Sequence, residues 1–189
     1  MAIPVEHRIE LAAAHRLGKG PGRHDALGNW PGLETTRLCE EQIFAICSPK
    51  LLAGHNRLRR PADVLKWPLL RLEDQSKAWE RWFALAGVAM PEQLPGPVLN
   101  RASMLIDAAI DGQGIALART TLAAWDLISG RIVKPFDLSW PPADTYWIVC
   151  PKATAKVAKI ARFRDWLLAE AADEARRLSK DERKTSDLV

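Results

Sequence analysis

The sequence predicts an α/β domain in which short strands alternate with helices. Buried-strand runs such as "EQIFAICSP" and "GIALA" are separated by amphipathic segments with helical periodicity. Apolar residues make up 48% and charged residues 26% of the 189 residues, which is typical of a globular protein that can bury a core. No apolar run approaches the ~20 residues that a membrane span requires.

The first half of the chain contains short elements separated by glycine and proline. Residues 1–32 have turn-forming composition, and we expect only a short helix around residues 8–16. "EQIFAICSP" and "PLLRLE" predict strands, and "RPADVLKWP" predicts a helical turn that begins at Pro61. Ser76 can cap the helix in "SKAWERWFALAG", which ends at Gly87.

The second half continues the alternation. "PVLN" predicts a strand, and Ser103 opens a helix that stops at Gly112. "GIALA", "RIVKPF" and "TYWIVCP" predict strands, and "RTTLAAWDLISG" predicts a helix. A last helix is expected over about residues 154–178, followed by a charged end that frays into solvent. Its expected apolar face carries Val157, Ile160, Phe163 and Leu167.

The glycines of "DAAIDGQGIALAR" do not predict a phosphate-binding loop. A dinucleotide fingerprint needs its glycines after a strand and before a helix, and here that order is reversed. Gly112 lies where a left-handed helix cap belongs, and Gly114 leads into a strand. We interpret the motif as the exit of a helix into a buried strand.

Side chains that catalyse reactions or bind metals do not form a recognisable pattern. The histidines lie without metal-ligand spacing at His7, His15, His24 and His55. There is no G-x-S-x-G motif, and the acidic pairs Glu40/Glu41 and Glu73/Asp74 are expected to be solvated loop charges. We expect no cofactor and no metal.

The cysteines and tryptophans are expected to be structural. Buried, reduced thiols are predicted at Cys39, Cys47 and Cys150. Core positions on helices are predicted for Trp79, Trp82, Trp125 and Trp166. Three tryptophans near predicted chain crossings could line a cleft: Trp67, Trp140 and Trp147. The net charge of +4 is too scattered to indicate nucleic-acid binding, and the absence of a signal peptide favours the cytoplasm.

Four long segments follow one another within about residues 24–172: "NWPGLETTRLCEEQIFAICSPKLL", "LLRLEDQSKAWERWFALAG", "NRASMLIDAAIDGQGIALARTTLAAWDLISGRIVKPF" and "YWIVCPK…FRDWLLAE". In this order they resemble the effector-binding domain of LysR-type transcription regulators, in the glycine-cleavage-activator-like branch. The resemblance implies a type II periplasmic-binding-protein-like fold. In that fold two α/β lobes are joined by two crossover strands, and a small-molecule effector binds in the cleft between them.

The resemblance also implies a division of the chain. We expect an atypical N-terminal segment at 1–23, a first lobe from 24–62 and 138–178, a second lobe at 63–137 and a charged tail at 179–189. The first strand and helix of the family's first lobe find no counterpart, so this lobe is expected to be incomplete, with an exposed edge. The family's winged helix-turn-helix is also not recognisable, and we expect a truncated regulator.

By position, the implied effector site lies at the start of the helix 103–111. Asn100, Arg101 and Ser103 correspond to the family's polar segment that faces the cleft, and Arg101 can pair with an anionic effector. Ser103 is equally well explained as an N-cap. The remaining candidates are Ser48 and Pro49 near the expected hinge, Ser76, which is better explained as a cap, and His24, which aligns loosely.

The implied function is regulatory and not enzymatic. A small, anionic metabolite would control DNA-dependent transcription in the intact protein, with DNA bound only through a winged helix-turn-helix absent from this chain. No membrane partner is expected, and a homodimer through the regulatory domain is possible. The alternatives are a stand-alone solute-binding protein of the same fold or a truncated fragment without function. An enzyme has the least support, since no nucleophile with a base is found.

Overall fold

The computed structural model describes residues 10–13, 30–53, 57–75, 77–143 and 145–186. They form two compact units. The first contains the described residues up to Glu41 and the segment Pro142–Lys180, and the second contains Gln42–Pro141 and the residues that follow Lys180. The chain therefore passes from one unit to the other between Glu41 and Gln42 and returns between Pro141 and Pro142.

The elements alternate as the sequence predicts. The strands are β1 Glu10–Ala13, β2 Leu33–Arg37, β3 Ile43–Ile46, β4 Leu69–Leu72, β5 Val98–Leu99, β6 Ile115–Arg119, β7 Ser139–Trp140 and β8 Tyr146–Pro151. The helices are α1 Ala78–Ala86, α2 Ala102–Ile110, α3 Thr120–Ile128 and α4 Ala158–Ser186. Short 3₁₀ helices occur at Pro49–Leu52, Pro61–Lys66 and Glu73–Gln75.

In the first unit, β8 is the central strand of an antiparallel sheet with the order β1-β8-β2. Trp30 and Val149 are buried on this sheet, and Trp30 meets the ring of Trp147 edge-on at a centroid distance of 6.5 Å. Cys150 and Ile160 belong to a second small cluster, which fixes the start of α4 next to the end of β8. This unit therefore depends on contacts of β8 and α4.

The second unit is built on a five-stranded sheet with the order β5-β4-β6-β3-β7. β4 is parallel to β5 and β6, whereas β3 is antiparallel to β6 and β7. Each of the three parallel strands is followed by a helix, because a parallel connection requires a crossover. The strand Ile43–Ile46, which the resemblance placed in the first lobe, lies in this unit.

The helix α1 contributes three aromatic side chains to the core of the second unit. Trp79, Trp82 and Phe83 are buried at the predicted helical spacing, and Trp79 Nε1 donates to the carbonyl of Leu70 at 3.2 Å. Gly87 ends the helix in the left-handed conformation with φ 64°, which confirms the predicted cap.

The two glycines of the "DGQG" motif have the structural roles that were predicted. Gly112 follows α2 with φ 79°. Gly114 precedes β6, and a Cβ atom there would overlap the carbonyl oxygen of Pro68, to which Ile115 N donates at 2.9 Å. The motif is a helix exit into a buried strand, and Gly114 is required by the close approach of the Pro68 backbone.

Some predicted elements are wrong. Residues 10–13 form a strand and not part of a helix, because β8 provides a pairing partner that overrides the helix propensity of alanine. "RIVKPF" contains only a single bridge from Val133 to Cys47, and Pro135 cannot donate to a sheet. The charged tail does not fray at 179, since α4 continues to Ser186. The strands β2 and β7 were not predicted.

Several burial predictions are also wrong. Trp79 and Trp82 lie in the core, but Trp125 is 62% and Trp166 53% exposed. On the predicted apolar face of α4, only Ile160 is fully buried, and Val157, Phe163 and Leu167 are partly or largely exposed. Glu41 was expected to be solvated but is buried, whereas the other three acidic residues named with it are exposed. The four histidines and Ser76 lie outside the described residues.

Asp63 holds the second 3₁₀ helix in place. Its carboxylate accepts the backbone N–H groups of Arg59 at 3.0 Å and Arg60 at 3.1 Å, and Lys66 Nζ lies 3.0 Å away. The hydrogen bond from Lys66 and the one from the Arg59 backbone lower the pKa of Asp63 to about 2. The residue is buried despite its charge because every one of these donors stabilises the carboxylate.

We expect Gly114→Ala to destabilise the second unit by about 1–3 kcal/mol, since the added methyl group overlaps the Pro68 carbonyl. Gly130→Ala is the matched control, because Gly130 has φ 70° but no atom near an added Cβ, and only backbone strain of about 1 kcal/mol is expected. Thermal unfolding measures both. If both variants lowered the melting temperature equally, the overlap with the Pro68 carbonyl would not explain the requirement for glycine at position 114.

We expect Asp63→Asn to lower the melting temperature at pH 7 and to have little effect at pH 2. The folded-state pKa of Asp63 is lowered, so its stabilisation is complete above the unfolded-state value of about 3.9 and is lost as pH falls through about 2. Circular dichroism melts at both pH values measure the change. Asp74→Asn, at an exposed carboxylate, is the control. An unchanged melting temperature at pH 7 would argue against this role of Asp63.

Candidate functional site

Three helices begin at one edge of the sheet in the second unit. β4, β5 and β6 run parallel, so their carboxyl ends lie at the same edge, where α1, α2 and α3 follow them. The register pairs Leu72 with Leu99 and Leu70 with Ala116. Because β4 lies between β5 and β6, these two outer strands are about 10 Å apart. The helices α2 and α3 begin after β5 and β6, respectively.

The three helix starts are not capped by side chains. Lys77, Arg101 and Arg119 occupy the N-cap positions, and none of them makes a side-chain cap hydrogen bond. The first turns of α2 and α3 contain no acidic residue. The positive ends of the α2 and α3 dipoles are therefore not compensated by a side chain of their own first turns, which suits the binding of an anion, whereas the first turn of α1 contains Glu80.

The structure brings together Asn100, Arg101 and Ser103 at the start of α2. All three side chains are exposed, and they follow β5 at the edge described above. Arg101 is the N-cap and Ser103 lies in the first turn, so the alternative role of Ser103 as the N-cap is wrong. The helix begins one residue earlier than predicted because the extended backbone ends at Arg101.

Ser48 and Pro49 lie at the opposite edge of the same sheet. Ser48 is buried and follows β3. It lies next to Gly112, just beyond the carboxyl end of α2, because a Cβ atom added to Gly112 would be 3.8 Å from the Ser48 Cβ. Pro49 is exposed at the start of a 3₁₀ helix. The helix α2 has nine residues and is therefore about 13 Å long, and this length separates Ser48 and Pro49 from Asn100 at its other end. Ser76 and His24 lie outside the described residues.

The start of α3 lies at the same edge as the start of α2, and the sequence predicted this helix but not that its start belongs to the candidate site. Arg119 ends β6 and is the N-cap of α3, which begins at Thr120, just as Arg101 is the N-cap of α2 shortly after β5. Thr120 Oγ1 accepts from Gln42 N at 3.0 Å, and Thr120 N donates to the Gln42 carbonyl at 3.0 Å, so this helix start is attached to the beginning of β3. One sequence signal could have indicated that the start of α3 belongs to the site. In both "NRAS" and "ARTT" a predicted strand is followed by an arginine and then by a residue with a hydroxyl group.

A groove of about 510 Å³ lies beside β4 and β5. Its lining combines charged, polar and apolar side chains of Arg71, Leu72, Glu73, Met90, Glu92, Gln93, Leu94 and Val98. Arg71 donates to the Gly96 carbonyl at 2.8 Å, and its buried Nε has no hydrogen-bond partner. No periodic pattern marks the loop that forms this groove, so the sequence did not predict it.

Comparison with known proteins identifies the family. The chain matches the LysR substrate binding domain over residues 17–172. It belongs to this family. The effector domain of AmpR from Pseudomonas aeruginosa has 32% sequence identity and a TM-score of 0.59, over 79% of this chain and 69% of that chain. The AmpR effector-binding domain of Citrobacter freundii has 28% identity and a TM-score of 0.61, over 77% and 71%.

Curated relatives give the same result. The glycine cleavage system transcriptional activator of Escherichia coli (strain K12) is 37% identical over 147 residues, 78% of this chain and 48% of the relative. The transcriptional activator AmpR of Citrobacter koseri is 33% identical over 144 residues, 76% of this chain and 48% of the relative. The LysR-type domain thus spans about half the length of these relatives. The predicted family and its type II periplasmic-binding-protein-like fold are confirmed.

The thiols of this LysR-type domain are protonated at neutral pH. Burial, followed by the charges of Glu41 and Glu174, raises the pKa of Cys39 to about 11, and burial raises the pKa of Cys47 to about 12. Burial also raises the pKa of Cys150. All three are free thiols, and Cys47 and Cys150 are buried as predicted. A weakly ionised thiol is a poor nucleophile.

The described part of the chain contains no cluster of three or more histidine, cysteine, aspartate or glutamate side chains that could hold a metal ion. Within the same residues, no helix has the length and apolar composition to cross a membrane.

Proposed function

We propose that the chain binds a small anionic metabolite at the edge where α2 and α3 begin and thereby regulates transcription in the intact protein. The observation that carries this proposal is the convergence of uncapped helix starts at the carboxyl edge of parallel strands. The relatives at 37% and 33% identity are named as transcriptional activators, which supports a regulatory role.

Arg101 supplies the directional contact in this proposal. Arg101 is exposed and is the N-cap of α2, and a guanidinium can bind a carboxylate through two parallel hydrogen bonds. Asn100 and Ser103 add neutral polar groups on either side of it. A carboxylate held here has its charge stabilised by the helix dipole and by Arg101 together.

Regulation then requires that the metabolite bind one conformation of the regulator more tightly than another. A ligand shifts an equilibrium only by its difference in affinity for the two states. We propose that the intact regulator works as a homodimer in the cytoplasm, with DNA bound by a separate winged helix-turn-helix. We propose no catalytic step.

We expect Arg101→Ala to weaken binding of an anionic effector at least tenfold, because a hydrogen-bonded charge pair contributes about 1.5–3 kcal/mol. A panel of small carboxylates, amino acids and short peptides is titrated calorimetrically into the 189-residue chain to find the ligand. The tightest ligand is then titrated into the variant. The melting temperature should not change, since Arg101 is exposed.

Lys50→Ala is the matched control for this experiment. Lys50 is an exposed cation at the opposite edge of the same sheet, next to Pro49. It should retain the affinity of the unchanged chain. Equal affinities of the Arg101 variant and the unchanged chain, or an equal loss in the Lys50 variant, would place the anion elsewhere.

A further inference from the structure

The groove beside β4 and β5 belongs to the second unit and has a lining of its own. Its volume of about 510 Å³ lies within the range of about 300–1,000 Å³ that is usual for small-molecule sites. The lining comes from β4, from the start of the following 3₁₀ helix, from the loop 90–94 and from β5. Neither Asn100 nor Arg101 contributes to it. A molecule in this groove would therefore contact other side chains than an anion at the start of α2.

Arg71 is the basic side chain of the groove, and most of its donors are not used within the protein. Its Nη2 donates to the Gly96 carbonyl at 2.8 Å, which holds the guanidinium against the loop before β5. Its Nε is buried without a hydrogen-bond partner among the described residues. A buried donor without an acceptor destabilises the folded state, and a guanidinium has five N–H groups. The groove therefore favours a molecule that carries an acceptor, and a carboxylate is the strongest one.

Two carboxylates make the groove acidic as a whole. Glu73 follows β4 and Glu92 lies in the loop before β5, and both are exposed. Within the described ranges, neither carboxylate has an ion-pair or hydrogen-bond partner. The lining thus has one positive and two negative side chains. A simple anion is disfavoured by this balance, and a molecule that also carries a positive charge is favoured.

Apolar side chains form the rest of the lining, and two of them are unusually accessible. Val98 on the edge strand β5 is 54% exposed, and Met90 is 43% exposed. Single exposed apolar side chains are common on protein surfaces, but here they lie together in one groove with Leu72 and Leu94. An aliphatic group of a bound molecule would remove them from water.

We propose that this groove binds a zwitterionic α-amino acid with an aliphatic side chain. The carboxylate of the amino acid accepts hydrogen bonds from Arg71, and its ammonium group pairs with Glu73 or Glu92. Its side chain packs against Met90, Leu94 and Val98. Each kind of lining thus has a matching group on the ligand, and the site is additional to the anion site at the start of α2. Because exposed ion pairs are weak, the expected dissociation constant for L-leucine is on the order of 0.1–1 mM.

An amide-resolved NMR titration of the 189-residue chain with L-leucine tests whether the groove is occupied. Saturable shifts should be concentrated at residues 71–73, 92–94 and 98. They should persist in the Arg101→Ala variant, because Arg101 does not line the groove. Loss of these shifts in that variant, shifts centred on other residues, or no saturation up to about 20 mM would overturn the proposal.

Three analogues of leucine test the match of each group separately. 4-Methylpentanoate lacks the ammonium group, 3-methylbutylamine lacks the carboxylate, and glycine lacks the aliphatic side chain. Each should bind the groove at least fivefold more weakly than L-leucine. If 4-methylpentanoate bound as tightly as L-leucine, the groove would be a simple anion site and the zwitterion would be excluded.

Neutral variants of the two carboxylates test the acidic side of the groove. Glu73→Gln and Glu92→Gln together should weaken L-leucine binding at least fivefold, with an unchanged melting temperature because both side chains are exposed. Asp137→Asn is the matched control, since Asp137 is an exposed carboxylate just before β7, the strand at the opposite edge of the sheet. Unchanged affinity in the double variant, or an equal loss in the Asp137 variant, would contradict the assignment.

Discussion

The parallel pairing of β4 with β5 and β6 is the constraint on which the second unit depends. Parallel strands cannot be joined by a tight turn, so each connection includes a helix, and all three helices begin at the same edge. The pairing also brings Pro68 against the residue before β6, where only glycine fits. One backbone arrangement therefore explains both a structural glycine and the convergence of helix starts that suits an anion.

The first unit is organised differently, around β8 and α4. Its sheet is antiparallel, and its long helix is fixed at one end by Cys150, Ala155 and Ile160. The side of α4 away from these contacts carries the stacked, exposed rings of Phe163 and Trp166.

The elements that could be predicted are those in which local and tertiary preferences agree. The α1 helix has helical spacing, a glycine terminator and two tryptophan side chains that the core needs, and all of these are predicted by the sequence. Gly112 and Gly114 were interpreted correctly because the order of helix, glycine and strand excludes a phosphate loop. The start of α2 was predicted to within one residue, which was enough to place Asn100 and Arg101.

The errors arise where a distant partner decides the outcome. The strand Glu10–Ala13 exists because β8 pairs with it, and no local pattern encodes that partner. Periodicity indicated that Trp125 and Trp166 lie on helical faces but not whether anything covers those faces. Ser48 was grouped with Arg101 because residues near a chain crossing were expected to converge, and its position beside Gly112 follows from the antiparallel direction of β3.

The most direct test of the account is an amide-resolved NMR titration with the tightest carboxylate of the calorimetric panel. The account predicts that the largest shifts occur in residues 101–105 and 119–123, with little change at Ser48 and Gly112. Shifts concentrated around Ser48 and Gly112 instead would contradict the proposed anion site.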